Sequence, residues 1–574
     1  MLSDELKQQI QLAYRTFLDK KGLTPRYGQR LMIAEIARGI AGVVQDNDGK
    51  RTGDQHVVVI EAGTGTGKTL AYLLGVMPVA KAMGKKVVLA TATVALQDQV
   101  VNKDIPEVLR NSGFSFSYAL AKGRGRYLCL SKLDRLMTPG QEAGTNLALW
   151  EDFQQYAVDK HEAELYRAMD QAVESRAWDG DRDSWSDSVD DLTWRRVTND
   201  HRGCTGRSCG FYEDCPFYLA RNDIYRADLI VANHDLVLAD LAMGGGVVLP
   251  APEDTVYVFD EGHHLPDKAL NHFSCSSQVR STLSWLQDLI KMLDSLVDSS
   301  DAQGMAAGVV GSVRDINAAM AEGLTLLLST LTPLADATDQ VESEQGKLVY
   351  RFEHGVVPEA LRDQSAQLLA PSRELVKQLQ LVVDWLQEGM EGKRSDITRP
   401  DAEAWMPLMS TQLARAEALM TVWMRYEAAD DELRAPVARW LNFTQSPQGL
   451  DVELSACPVL ASDVLSRYLW SRAFAAVVTS ATLTALGKFE RFQFRSGVPP
   501  TSHFKAVPSP FNYQECGRIV VPDLACDPTN GTRHTDQLVS YIERIWQQQL
   551  GTLVLFSSRR QMDEVFELLG TEVQ

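Results

Sequence analysis

Five short runs of β-branched and aliphatic residues stand out along the chain, each ending in a glycine-rich or polar turn and followed by apolar residues at helical spacing. They are HVVVIEA at 56–62, KVVLATA at 86–92, DLIVAN at 228–233, VYVFDE at 256–261 and AAVVTSA at 475–481. Runs that stay apolar at successive positions are strands buried on both faces, the mark of a parallel α/β sheet covered by helices. Their spacing is uneven, with long stretches at 93–227 and 262–474 that read as insertions into one sheet domain.

The first insertion, 122–226, carries an acidic polar segment, WDGDRDSWSDSVDDL, ahead of a cysteine cluster. The second, 265–442, repeats apolar residues at three and four spacing in STLSWLQDLIKMLDSLV, LVKQLQLVVDWLQ and MSTQLARAEALMTVWM, which predicts a helical subdomain with its Met and Trp stripes in the core. The sheet domain then occupies 1–121, 227–264 and 443–504. From 505 to 574 a new pattern begins, with GRIVVP (517–522) and GTLVLFSS (551–558) as strands on either side of a helical stretch, the opening of a second α/β domain.

A chain of 574 residues is too long for one hydrophobic core. With 45% hydrophobic and 23% charged residues, its composition is that of a soluble globular protein. No uninterrupted apolar run is long enough to cross a bilayer, and the charged amphipathic N-terminus is unlike a secretion signal, so a cytoplasmic location is expected. A net charge of −19 excludes a protein that coats itself in nucleic acid. It leaves room for local basic contacts to a strand, for which Lys122 to Arg126, Arg195, Arg196, Arg202 and Arg207 are candidates.

EAGTGTGKT at 61–69 lies between the first apolar run and the helical pattern LAYLLGVMPVAKAM. Strand, glycine-rich turn and helix in that order make a phosphate-binding loop. Gly63, Gly65 and Gly67, with Thr64 and Thr66 between them, let backbone N–H groups surround phosphates at a helix N-terminus. Lys68 reaches the outer phosphates and the Thr69 hydroxyl ligates Mg²⁺. Ala62 stands where a first glycine is usual. DEGHH at 260–264 ends a strand, so Asp260 and Glu261 emerge at the carboxyl edge where open α/β sheets bind ligands. Phosphoryl transfer needs one carboxylate to hold the metal and another to orient water. Asp260 suits the first role and Glu261 the second. An acidic pair after a strand can merely cap a helix, but beside a phosphate loop it points to chemistry.

TSATL at 479–483 completes a recognisable set. Lys68–Thr69, Asp260–Glu261–Gly262–His263 and Ser480–Ala481–Thr482 together resemble superfamily 2 helicases of the DEAH type. Gly262 replaces the usual Ala, a small-for-small change. The resemblance implies ATP hydrolysis, with His263 in the catalytic motif and with Ser480 and Thr482 coupling hydrolysis to movement of nucleic acid. It implies adenine recognition by Arg26 and Gln29 in TPRYGQRLM, and a grip on the DNA backbone by TATVALQDQ (91–99), where Thr93 joins the coupling residues.

Eight cysteines in so long a chain make no disulfide framework. Cys275, Cys457, Cys516 and Cys526 are scattered singly and read as small hydrophobes. Cys129, Cys204, Cys209 and Cys215, the last three spaced C-x4-C-x5-C, could hold either Zn²⁺ or a cubane iron–sulfur cluster, and spacing alone leaves both open. Their position inside the first motor domain, with VANHDLVLADL at 231–241, resembles the XPD-like helicases. The match is to the bacterial damage-inducible branch, with a paralogous bacterial repair branch as the alternative, and it runs in order through WRRVTND, CPFYLAR, DEGHHLPD and SPFN. It implies a RecA-like motor, a [4Fe–4S] cluster on those four cysteines and an arch domain for the second insertion. It further implies 5′ to 3′ translocation on single-stranded and forked DNA, work in DNA repair, and single-stranded-DNA-binding protein as a candidate partner. The family's Q-x-x-G-R-x-x-R arginine-finger segment does not occur, and 505–574 is shorter than a typical domain of about 100 to 150 residues. The second motor domain is therefore expected to be incomplete and unwinding weak. A nucleotide- and DNA-binding protein without unwinding activity is the competing class.

Overall fold

A computed structural model describes residues 2–137, 160–200, 203–298, 305–337, 348–429, 436–446, 449–522, 526, 531–546 and 551–570. It divides into two units, Met1–Pro510 and Phe511–Gln574. In chain order the described strands are β1 (Val57–Ala62), β2 (Lys86–Thr91), β3 (Tyr118–Leu120), β4 (Leu229–Asn233), β5 (Thr255–Phe259) and β6 (Cys275–Gln278). Then come β7 (Leu348–Arg351), β8 (Val437–Ser446), β9 (Gly449–Pro458), β10 (Ala475–Ser480) and β11 (His503–Val507).

Seven of them form one parallel sheet in the order β11-β1-β10-β5-β2-β4-β3. Alternate residues point to opposite faces, and both faces are dry. Val58, Ile60, Val87, Leu89, Val256 and Val477 pack beneath helices α1 (Asp4–Lys21), α2 (Tyr27–Ala41) and α3 (Lys68–Ala82). Val57, Val59, Val88, Tyr257, Phe259 and Val478 pack against the helices His234–Ala242, Leu265–His272 and Ala461–Leu465. All five strands expected from the apolar runs are present. The sequence reading missed β3, only three residues long, and β11, whose HFKAV has a single buried residue, Val507. Lys505 was expected to open the next domain, yet it pairs in register with Ile60 of β1. The edge strand is held by backbone bonds rather than by apolar burial, which leaves it without a hydrophobic signature.

The first insertion surrounds its own small core of Leu128, Leu133, Tyr166, Met169, Trp178, Trp194 and Val197. The basic groups proposed there for DNA are partly engaged elsewhere. Lys122 is buried and bonded to Asp181 and Asp183, Arg126 pairs with Asp183, and Arg196 pairs with Glu162. Arg195 and Arg207 are exposed, and Arg202 lies outside the described residues. The second insertion is not purely helical. Its helices Val279–Asp298, Met305–Leu331, Glu359–Met390 and Arg399–Glu427 share one core with an antiparallel sheet ordered β6-β9-β8-β7. Because β8 and β9 belong to that sheet, the insertion continues past 442 to Pro458, while the helix Leu265–His272 stays with the first sheet. Trp285, Trp385 and Trp423 are core residues, as the stripes predict, and Trp405, outside those stripes, joins them. One helix, Gly308–Asp336, is long and apolar enough to cross a membrane by length and composition, with a mean hydropathy of 1.3, although its apolar run is interrupted by Arg314, Asp315 and Glu322. Its Val313, Met320, Leu324 and Leu327 are buried in the insertion's core.

In the second unit the helices Gly531–Ile545 and Arg559–Leu568 meet through Val539, Ile542 and Val565. The expected strands GRIVVP and GTLVLFSS form no ladder among the described residues, and Ile519, Val521, Leu553 and Leu555 are exposed. A strand exists only through its pairing, and β-branched residues alone do not supply a partner.

His234 opens the helix after β4 with its ring fully buried, and Nε2 donates to the Asp260 carbonyl at 2.9 Å. Burial pushes its pKa down to about 4 from an ordinary 6.5. The unfolded chain therefore takes up this proton near pH 6.5 and the folded chain only near 4. The stabilisation is complete above 6.5 and is lost as pH falls towards 4, by on the order of a few kcal/mol. The thermal midpoint should fall more between about pH 7 and 5 in the native sequence than in His234→Asn; equal falls would refute this assignment.

Candidate active site

The phosphate loop leaves β1 after Ala62 and turns through Gly65 and Gly67, both left-handed at φ 78° and 79°, a region glycine enters without steric cost. The Thr66 hydroxyl closes the turn onto the Gly63 carbonyl at 2.7 Å. Lys68 then starts α3, directing the helix's free N–H groups at the loop. From α2, Gln29 donates to the Gly67 carbonyl at 3.1 Å and is itself held by the Tyr14 hydroxyl at 2.9 Å. Arg26 donates to the Gly65 carbonyl. A cavity of about 300 Å³ opens beside the loop between Phe17, Leu23, Gln29, Thr69, Asp104 and Val108.

Asp260 and Glu261 follow β5 directly. Asp260 is buried, which pushes its carboxyl up to about 6 despite the opposing charge of Lys68, and the Tyr72 hydroxyl donates to it at 3.4 Å. Glu261 sits at φ 49°, a conformation a side-chain-bearing residue adopts only under constraint. The constraint is visible. Lys68 Nζ bonds one Glu261 oxygen at 2.8 Å, and the Ser480 hydroxyl donates to the other at 2.9 Å. Burial pushes this carboxyl up, but the bonds from Lys68 and Ser480 outweigh it and leave the pKa below the ordinary value. His263 Nδ1 lies 2.6 Å from Ser480 Oγ. The serine's single proton goes to Glu261, so Nδ1 must carry the proton that His263 donates to Ser480. Burial, then neighbouring His264, lowers the His263 pKa, keeping the ring neutral at about pH 7.

Lys68, Glu261, His263 and Ser480 are thus one bonded chain spanning α3, the end of β5 and the end of β10. The Thr482 N–H reaches Ser480 Oγ at 3.3 Å, whereas Thr93 is exposed at the end of β2 and uses its hydroxyl to cap the next helix at the Leu96 N–H. The sequence reading missed Tyr14, Tyr72 and Asp104. Each lies on a helix where it reads as an ordinary amphipathic position, and only folding brings it to the loop.

Cys129 is fixed by its N–H to the Val197 carbonyl at 2.7 Å, joining the two halves of the first insertion. The Asn199 amide points to Cys129 Sγ at 3.9 Å and the Gly206 N–H to Cys204 Sγ at 3.4 Å. Burial raises the Cys209 and Cys215 thiols, and the nearby Cys129 and Cys204 raise each further. Among the described residues, no group of three or more His, Cys, Asp or Glu side chains is close enough to hold a metal ion.

Residues 44–127, with the phosphate loop inside them, match the DEAD/DEAH box helicase family. The ATP-dependent DNA helicase DinG of Photobacterium profundum is 34% identical over 573 residues, 99% of this chain and 79% of the relative. The chain belongs to the DinG helicase family. DinG of Escherichia coli (strain K12) is 31% identical over 99% of this chain and 77% of its own. A solved XPD helicase aligns with 95% of this chain and 75% of its own at 13% identity, with a TM-score of 0.42, too low to carry weight.

Against the DEAH pattern, Gly262 is not the neutral replacement it seems in the sequence. A Cβ at 262 would fall inside the contact radius of Val478 Cγ1, a stiff side chain fully buried in β10. Gly262→Ala should therefore destabilise this DinG-family chain by about 1–3 kcal/mol through overpacking. The cost should shrink in a Val478→Ala background, as read by thermal midpoints of the four combinations. Simple additivity would show that the two sites do not touch.

Proposed function

We propose that this chain is an ATP-dependent DNA helicase that moves 5′ to 3′ on single-stranded and forked DNA, in cytoplasmic DNA repair and replication-conflict resolution. The observation that carries this reading is the bonded chain Lys68–Glu261–Ser480–His263, which joins the phosphate loop, the acidic pair and the coupling segment. A γ-phosphate entering the loop competes with Glu261 for Lys68. Glu261, released from its ion pair, is then free to orient or deprotonate water. Its second oxygen stays tied to Ser480, so the change at the phosphate is felt in the segment 480–482. Thr69 and Asp260 are the residues that would hold Mg²⁺, which supplies charge neutralisation at the phosphates when bound. The fit is chemical, since a divalent cation offsets the burial that holds the Asp260 carboxyl high. Arg26 and Gln29 are assigned to the adenine end, beside the cavity at the loop.

The four clustered cysteines are proposed to carry a [4Fe–4S] cluster, and the second insertion to be the arch. Support for the cluster is the donor set itself, four thiols within the first insertion, with N–H groups already directed at the sulfurs of Cys129 and Cys204. Protein prepared without oxygen should contain about four irons per chain and be brown. Cys204→Ser should lose that colour, and Cys457→Ser should keep it. Stoichiometric zinc in place of iron would defeat the assignment.

Turnover of ATP with and without single-stranded DNA separates a motor from a mere binding protein. Strong stimulation is expected. Lys68→Ala should abolish turnover, and Glu261→Gln should slow it by roughly 10²–10⁴ while nucleotide still binds. Near-normal turnover in Glu261→Gln would remove Glu261 from its role.

A further inference from the structure

Glu61 lies one residue before the point where β1 gives way to the phosphate loop, in register beside Ser480 of β10. It takes no part in the bonded chain of Lys68, Glu261, Ser480 and His263. Its carboxylate accepts the Leu483 N–H at 2.7 Å, the Thr484 N–H at 2.6 Å and the Thr484 hydroxyl at 2.9 Å. Three donors on one carboxylate, two of them backbone, make a charge-assisted clamp roughly twice as strong per bond as neutral hydrogen bonds. Among the described residues Glu61 makes no ion pair, and these three bonds are its carboxylate's partners.

The segment it holds is the continuation of Ser480–Thr482. That segment is therefore tied at two places. Its start is bonded through Ser480 to Glu261 and His263, and its end through Leu483 and Thr484 to Glu61. Immediately beyond, Ala485 and Lys488 pair across a tight turn whose tip, Leu486, is fully exposed and left-handed at φ 53°. Leu483 is buried against the sheet, so a shift at residue 484 is transmitted to the turn rather than absorbed at its root.

We propose that Glu61 is the positioning residue that ties the phosphate loop to the coupling segment, delivering the loop's response to nucleotide to residues 483–488. The first tie reports the state of the hydrolytic carboxylate, and this second one reports the loop itself. The two N–H groups share one Glu61 oxygen and the Thr484 hydroxyl bonds the other, so glutamine at 61 keeps the length and the partners but loses the charge that strengthens all three bonds.

The test is hydrogen exchange of the Leu483 and Thr484 amides in the full chain, with and without a saturating non-hydrolysable ATP analogue and Mg²⁺. Exchange in the native sequence should change by about fivefold or more with the analogue, within the usual range for coupled sites. In Glu61→Gln that change should fall below about twofold, and the ratio of DNA-stimulated to DNA-free ATP turnover should drop about tenfold. A carboxylate with only a structural role would lower the thermal midpoint and leave both the nucleotide response and that ratio intact, which overturns the proposal. Amides in the native chain that ignore nucleotide would overturn it equally. Thr484→Val, which deletes only the hydroxyl bond, should give an intermediate response. If Glu61→Gln fails to fold, an unchanged response in Thr484→Val is the overturning result.

Discussion

The parallel pairing of β10 between β1 and β5 is the constraint on which the site depends. Strands in a parallel sheet all end at the same edge, so the chain is obliged to release Ala62, Asp260 and Ser480 side by side although hundreds of positions separate them in sequence. The phosphate loop, the acidic pair and the coupling segment are the three continuations of those strands. Their juxtaposition follows from register, and no loop has to reach across the molecule to create it. Burial of the strands on both faces makes a slip in register costly, because a one-residue shift would exchange two complementary apolar surfaces.

Electrostatics at that edge are finely opposed. Burial holds the Asp260 pKa up at about 6, while bonds from Lys68 and Ser480 hold Glu261 below the ordinary carboxylate value. Two adjacent carboxyls are thus pushed in opposite directions by their surroundings, the arrangement by which neighbouring acids acquire different roles. The backbone at Glu261 is strained to allow it, and Gly262 relieves the crowding at the next residue by leaving room for Val478. A chain with alanine at 262 needs a smaller or displaced partner on β10, which makes the two positions a matched pair.

The insertions enter the sheet domain at ends of its strands and have their own cores, so they can vary without disturbing the register of β1, β10 and β5. The first is anchored at its root by the buried ion pairs of Lys122 with Asp181 and Asp183. Removing one partner would strand a charge, and the network therefore fixes where the cysteine-bearing module stands. Lys122, Arg126 and Arg196, which look available for DNA in the sequence, are used there to build the fold, while Arg195 and Arg207 stay exposed.

What the sequence determined by itself was everything encoded in local pattern. Five buried strands follow from unbroken apolar runs, the phosphate loop from strand, glycines and helix in succession, and the roles open to Asp260 and Glu261 from their place after β5. Spacing also marked four cysteines in the first insertion, although among the described residues no three such side chains stand close enough to hold a metal ion. Tertiary structure decided what depends on partners distant along the chain. It showed that HFKAV is an edge strand of the first sheet, that β8 and β9 complete the second insertion, and that GRIVVP and GTLVLFSS have no ladder among the described residues. Only it could place Glu61 against Leu483 and Thr484, or set Val478 where a Cβ on Gly262 would fall. Periodicity reports which face of an element is dry, whereas hydrogen bonds and close contacts depend on which elements become neighbours, and that is settled by packing.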